Sequence, residues 1–350
     1  MGFSEYDNYD ALGLAQLVRS KEVSPLELLE EAISRTEKVN DAINAVVHRH
    51  YDLARESIDK GLPEGTFTGV PFLLKDLHLS MTGTLKSNGS AMWQGDTGTH
   101  DSILVQRYKD AGLSIFGRTN SPELGLQPIT EPDVYGPSRN PWDTSRTPGG
   151  SSGGAAAAVA AGILPMAHAS DGGGSIRIPA SCCGLVGLKP SRARIPFGPD
   201  KSEGWVGQST SHIVSRTVRD TAAMLDATAG FAHGEAYAAP HYDGSFLDAV
   251  TRSPQPLRIA VSHEKWGRGK YSPEVLEGLD RTIAVLESLG HKVEEARPEY
   301  DGEAIGLSMY TIICVSTTVD IQRRADQLGC TIDQMDMEEG TRFSVEMGSA

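Results

Sequence analysis

The chain has 350 residues, 39% of them hydrophobic and 22% charged, enough apolar material for one large α/β domain or two smaller ones. Its formal net charge of −14 argues against a phosphate-backbone partner, because nucleic-acid binders concentrate Lys and Arg. No uninterrupted apolar run reaches the roughly 18 residues that span a bilayer, and residues 1–5 lack the basic and apolar regions of a signal peptide.

Gly2 is a poor myristoylation site, since Tyr6 stands where Ser or Thr is required. The four cysteines, Cys182, Cys183, Cys314 and Cys330, form no C-x-x-C pair, so neither a zinc site nor a redox motif is signalled. A cytoplasmic protein without membrane or nucleic-acid partners is expected. The oligomeric state is left open, a homo-oligomer included.

In chain order, Leu12, Leu14, Leu17 and Val18 predict a short amphipathic helix. Ser24, Pro25 and Glu27 form a helix start, with Ser24 as N-cap and Glu27 closing the capping box. Leu29, Ile33, Thr36 and Val39 then share one face, and residues 44–47 open a strand. Residues 72–74 read as a short buried strand with Lys75 at its carboxyl end, where sites form in open α/β sheets. Most lysines lie at the surface; the Phe72-Leu73-Leu74 run before this one argues for burial. Asp76 beside it is expected to orient the loop.

Residues 101–110 form a helix stopped by Gly112, and residues 113–116 the next strand. This is β-α-β logic, and it predicts a largely parallel sheet. The long loop 122–141 is expected near a site. Beyond Pro190 the glycine-rich segment to Gly207, with Trp205 in it, reads either as a cleft wall or as an ordinary surface loop. Residues 218–229 are a helix stopped by Gly230, and 231–255 an excursion containing Pro240 and Pro254. A second β-α-β unit follows, with strand 257–261, a helix from Ser272-Pro273 striped by Leu276, Leu279, Ile283, Leu286 and Leu289, and a strand from His291. It is expected to pack onto the first sheet. Residues 331–350 are polar and stop inside a helix.

The stretch over residues 149–190 organises the rest. Gly149-Gly150-Ser151-Ser152-Gly153-Gly154 and Gly172-Gly173-Gly174-Ser175 bracket an alanine-rich segment. Glycine lets a backbone approach a ligand closely and adopt positive φ. A flexible linker is the usual reading of such clusters, but residues 155–161 are strong helix formers and residues 163–167 suit a buried strand. A phosphate loop is ruled out by the missing G-x-x-x-x-G-K-[ST]. A nucleophile elbow at Ser151 must follow a strand, and residues 140–148 carry two prolines and little apolar character.

These residues resemble the amidase signature family. The likeness runs through Gly-Gly-Ser-Ser-Gly-Gly and then Asp171-Gly-Gly-Gly-Ser175-Ile-Arg177-Ile-Pro179, with the two serines 24 positions apart. It extends to residues 69–76 around Lys75, to residues 117–120 and 135–142, and to residues 215–220. It implies an α/β amidase-signature fold: a mixed, largely parallel central sheet with helices on both faces, here as a single domain over residues 1–350 lacking the family's carboxyl-terminal portion.

The resemblance also assigns roles. Ser175 is the nucleophile, Ser151 the proton relay and Lys75 the base. The backbone N–H groups of Gly172, Gly173, Gly174 and Ser175 form the oxyanion hole. Ser152, Asp171 and Arg177 support the loops, Arg177 by a structural ion pair with Asp171. A cis peptide precedes Ser151. Gly172 replaces a bulkier residue and is expected to loosen the oxyanion hole slightly. No metal or organic cofactor is implied.

The chemistry is consistent with these roles. Amides are poor electrophiles with poor leaving groups, so cleavage needs an activated nucleophile and an oxyanion stabiliser. None of the ten histidines has a triad context; His168 reads as a packed or hydrogen-bonded residue. A lysine can serve as base if burial keeps it neutral. Cys314 is expected to be buried. The expected reaction is hydrolysis of a small-molecule amide. The alternatives are an amidotransferase A-type subunit releasing ammonia from glutamine or asparagine, and a catalytically silent binding paralogue.

Overall fold

The computed structural model describes Phe3, residues 5–264 and residues 270–350. Met1, Gly2 and Ser4, on which the reading of the amino terminus partly rests, lie outside the described residues.

Two capped helices open the chain, α1 (Ala11–Arg19) and α2 (Pro25–Ile43). The α2 start has the predicted capping box: the Ser24 side chain accepts from the Glu27 N–H, and the Glu27 carboxylate accepts from the Ser24 N–H at 2.9 Å. Then come β1 (Val46–Arg49), α3 (Tyr51–Asp59), β2 (Pro71–Lys75), α4 (Ile103–Asp110) and β3 (Ser114–Thr119). The central segment holds α5 (Gly153–Ala160), β4 (Met166–Asp171), α6 (Arg177–Cys183), β5 (Val186–Gly187), β6 (Thr210–Ser215) and α7 (Val218–Thr228). The remainder comprises α8 (Phe246–Ala249), β7 (Arg258–Val261), α9 (Pro273–Ser288), β8 (Lys292–Glu295), α10 (Gly302–Leu328) and α11 (Glu339–Ser349).

Buried strands project alternate side chains to opposite faces, and here each face has its own core. Phe72, Leu74, Ile115 and Ile213 enter one core with side chains of α1, α4 and α7. Leu73, Phe116 and Val214 enter the other with α3, α5 and α6. Helices therefore cover both faces, as the α/β class requires. Helix α5 is buried nearly all round. Its alanines permit this, since a helix so enclosed must be small as well as apolar.

The strands are mixed, and the expected parallel bias does not hold. β2–β3 and β7–β8 are parallel, the first by the predicted crossover through α4. β1–β3, β4–β6 and β5–β6 are antiparallel. Two of these antiparallel pairs come from β6, whose all-buried sequence Thr-Ser-His-Ile-Val-Ser carries no apolar run, yet which pairs with both β4 and β5. The sheets β1-β3-β2 and β4-β6-β5 meet where β2 lies against β4. The joint is a side chain: His168 Nδ1 on β4 accepts the Lys75 backbone N–H at 3.1 Å.

The second β-α-β unit exists as predicted but does not extend the first sheet. β7 and β8 form their own two-stranded sheet, and no residue of α9 is buried. Leu289, at the end of its stripe, is 67% exposed. Among the described residues, α10 is the one helix long and apolar enough to cross a membrane by length and composition. Its Ser, Thr and Tyr residues interrupt any apolar run, which is why the sequence criterion passes over it. Here it packs on α11, and its Arg324 and Asp320 bond to the Met92 carbonyl and to Lys201.

Candidate active site

Lys75 ends β2 and is fully buried. Its Nζ lies 2.6 Å from Ser151 Oγ and 3.1 Å from Ser170 Oγ. Burial strips hydration from the ammonium, and this pulls the pKa of Lys75 down to about 7 despite the opposing charge of Asp171. The expected cis peptide stands between Gly150 and Ser151. Gly150 is packed so closely on Ile129 that a Cβ there would fall 2.6 Å from its backbone N. The 122–141 loop thus lies against the site, as expected of it. Thr130 Oγ1 donates to the Gly149 carbonyl at 2.9 Å and accepts the Gly153 N–H at 3.1 Å, holding the start of α5.

Ser175 follows the second glycine cluster and is half-buried. The Ser152 backbone N–H donates to its carbonyl at 3.3 Å, so the two serine loops are tied directly. Both Ser151 and Ser175 line one cavity of about 770 Å³, with Gly172, Leu77, His78 and Trp205 around them. The segment before Gly207 is therefore a cavity wall. No hydrogen bond joins the Ser151 and Ser175 hydroxyls among the described residues.

Ser152, Asp171 and Arg177 bond around the two serine loops. Ser152 Oγ accepts the Ser170 N–H and donates to the Ser170 carbonyl, both at 3.3 Å, clamping α5 to the end of β4. Asp171 is fully buried and takes Arg177 in a bidentate pair, both contacts 2.8 Å. Burial alone would raise the Asp171 pKa; the Arg177 pair and the Ile176 and Gly174 N–H groups hold it below the usual range. Asp76 accepts the N–H groups of Ser87 and Gly89, which orients the loop after Lys75.

One expected donor must be struck out. The Gly174 N–H points at Asp171 Oδ1, 2.8 Å away, and is not free for an oxyanion. The buried carboxylate, needing donors, has captured it. The N–H groups of Gly172, Gly173 and Ser175 have no acceptor among the described residues, which leaves three amides for that task.

Two site residues escaped the sequence reading. Ser170 contributes the second oxygen beside Lys75 Nζ, and no motif marks a lone serine on a strand. His168 was expected to be packed or hydrogen-bonded, and it is both; its contact with the Lys75 backbone was not foreseen. Burial, with Lys75 nearby, keeps its pKa well below the ordinary histidine value, so it is a neutral acceptor. His78 lines the cavity, and burial together with Lys201 and Lys75 lowers it to about 3. Cys314 is buried on α10. Among the described residues, no cluster of His, Cys, Asp and Glu could hold a metal ion.

Comparison with known proteins defines the class. The Amidase family profile matches residues 27–345. The chain is 40% identical over 335 residues to a 6-aminohexanoate-cyclic-dimer hydrolase of Paenarthrobacter ureafaciens, covering 94% of this chain and 68% of that protein. A solved structure of a 6-aminohexanoate cyclic dimer hydrolase superposes with a TM-score of 0.90 at 37% identity, over 97% of this chain and 71% of that one. A bacterial aryl acylamidase of the amidase signature family superposes at 0.86 and 28% identity, over 97% and 72%. The fold is thus that of the amidase signature enzymes. The chain belongs to the amidase family, and its reaction is hydrolysis of an amide C–N bond.

Proposed function

We propose that this chain hydrolyses amides through an acyl-enzyme on Ser175, with Ser151 and Lys75 moving the proton. Neutral Lys75 Nζ accepts from Ser151 Oγ and donates to Ser170 Oγ. As Ser175 Oγ attacks the carbonyl carbon, its proton passes to Ser151 and that of Ser151 to Lys75. The oxyanion is held by the N–H groups of Gly172, Gly173 and Ser175. The C–N bond then breaks, and the proton returns along the same path to the departing nitrogen. Water repeats the sequence in reverse on the ester. Binding of substrate must close the gap between the two serine hydroxyls, since catalytic hydrogen bonds often tighten only in the complex.

The observation that carries this reading is the 2.6 Å contact of a fully buried lysine with Ser151, in the cavity that Ser175 lines. For substrate, we propose an uncharged aliphatic amide, a cyclic diamide of 6-aminohexanoate being the first to assay. The likeness to the cyclic-dimer hydrolase supports it; Leu77, Leu79, Leu124 and Val319 give the cavity apolar surface, beside charged lining residues that include Lys86, Asp200 and Arg323.

A fluorophosphonate should modify Ser175, as read by peptide mass, and the purified chain should release amine from such amides. Labelling of Ser151 with Ser175 free would overturn the assignment. Absence of any labelling would favour a silent binding paralogue. Ammonia release confined to glutamine or asparagine would favour the amidotransferase reading.

A further inference from the structure

The indole of Trp205 stands where a side chain at position 172 would be. A Cβ on Gly172 would lie 2.5 Å from Trp205 Cε3 and 2.6 Å from Cζ3, closer than real Cβ contacts allow. The neighbouring Gly173 differs: a Cβ there would meet nothing within 4 Å. The contact is therefore particular to position 172, where the family resemblance led us to expect a looser oxyanion hole. The space is filled from outside by another residue's ring.

The ring is held by a built loop. Trp205 and Val206 have φ of 50° and 53°, a region that non-glycine residues enter at a cost and β-branched ones rarely. The Ser209 N–H donates to the Gly204 carbonyl at 3.0 Å, and Arg192 Nε to the Gly207 carbonyl at 2.9 Å. Gly204 rests against Phe197, where a Cβ would come within 2.9 Å of the ring. Such strain persists only where the surroundings over-determine it, and it concentrates at sites.

Trp205, Gly172 and Ser175 line the same cavity. The Gly172 N–H is one of the three amides free to take an oxyanion, so the indole edge packs on the backbone beside the reacting carbonyl. Resting on the reading of Ser175 as nucleophile, we propose that Trp205 is a specificity-determining residue: it limits the bulk of the acyl group next to the carbonyl carbon. The enzyme then takes amides of unbranched acids and rejects those branched at the adjacent carbon. The leaving amine departs, but the acyl chain stays on Ser175 beside the ring through both half-reactions.

The test is the rate of Ser175 modification by a P-methyl and a P-isopropyl fluorophosphonate, read by peptide mass. The wild-type chain should prefer the methyl probe. Trp205→Ala should reduce that preference by about tenfold or more, the discrimination that one or two methyl groups command in a fitted pocket. Gly172→Ala should slow both probes by about tenfold, because the new methyl meets a fixed ring, and Trp205→Leu added to it should restore most of the rate. Labelled Ser175 with the same methyl preference in wild type and Trp205→Ala would overturn the proposal while leaving the mechanism standing. Gly172→Ala without effect, or without rescue by Trp205→Leu, would also overturn it. Wild-type Ser175 that resists both probes would overturn the mechanism and the proposal with it.

Discussion

Two β-α-β units in this chain obey the same local rules and end in opposite environments. In β2-α4-β3 every strand residue is buried, and β2 ends on a lysine with no exposed surface. In β7-α9-β8 no residue of the helix is buried, and every strand residue is exposed or half-buried. The lysine proposed as the base lies in the first. A lysine becomes a base when water is withheld from it, and only the fully enclosed unit withholds it. The second unit has an amphipathic helix and a parallel strand pair, but no enclosure, and its ionisable groups keep their hydration.

The largest expected effect falls in the enclosed unit. Ser175→Ala and Lys75→Ala should each lower kcat/KM by about 10⁴-fold or more. The double variant should be no worse than the single ones, because groups that act as one unit do not lose activity additively. Lys75→Arg should be nearly as damaging, since a guanidinium cannot accept the proton.

Core truncation comes next. Leu73→Ala, at a fully buried position of β2, should destabilise the chain by about 2–5 kcal/mol in denaturant unfolding. A cost below about 1 kcal/mol would show that the strand is less enclosed than described.

Lys75 itself should weaken the fold in a pH-dependent way. Its pKa is near 7 when folded and 10.5 in the unfolded reference. Between these values the unfolded chain holds more protons, so stability rises with pH across that window. Lys75→Met should therefore stabilise the chain most below pH 7, by a few kcal/mol, since each tenfold loss of proton affinity on folding costs roughly 1.4 kcal/mol. The gain should shrink as pH approaches 10.5. A gain that is flat with pH would place the lysine in water.

The smallest effect belongs to the second unit. Leu289→Ala should change stability by no more than about 0.5 kcal/mol, the range of exposed substitutions. A cost as large as that of Leu73→Ala would mean the α9 stripe is covered in solution.

The family resemblance, carried by the two glycine clusters and the strand end at Lys75, singled out Lys75, Ser151 and Ser175, and the fold sets Lys75 against Ser151 in the cavity that Ser175 lines. Sequence reading placed the capping box of α2 because Ser24 and Glu27 are local partners. It misjudged Gly174 because the competitor for that N–H, the Asp171 carboxylate, is visible only once the loop is folded. Ser170 and His168 were not read as neighbours of Lys75, since their partner lies 95 and 93 positions away. β6 was missed because Thr210, Ser211, His212 and Ser215 leave it no apolar run, although every one of its residues is buried. The β7-α9-β8 unit was recognised but set on the wrong surface, since periodicity tells which face of a helix is apolar and not what covers it.

Whether burial makes Lys75 the base is read most directly from the pH dependence of kcat/KM for amide hydrolysis from about pH 5 to about pH 9. A base must be deprotonated to work, so the rate should rise with pH along a single limb centred near 7, the pKa that burial imposes on Lys75, and then level off. The residual activity of Lys75→Ala should lack that limb. A wild-type rate independent of pH over the range, or the same limb surviving in Lys75→Ala, would exclude Lys75 as the base.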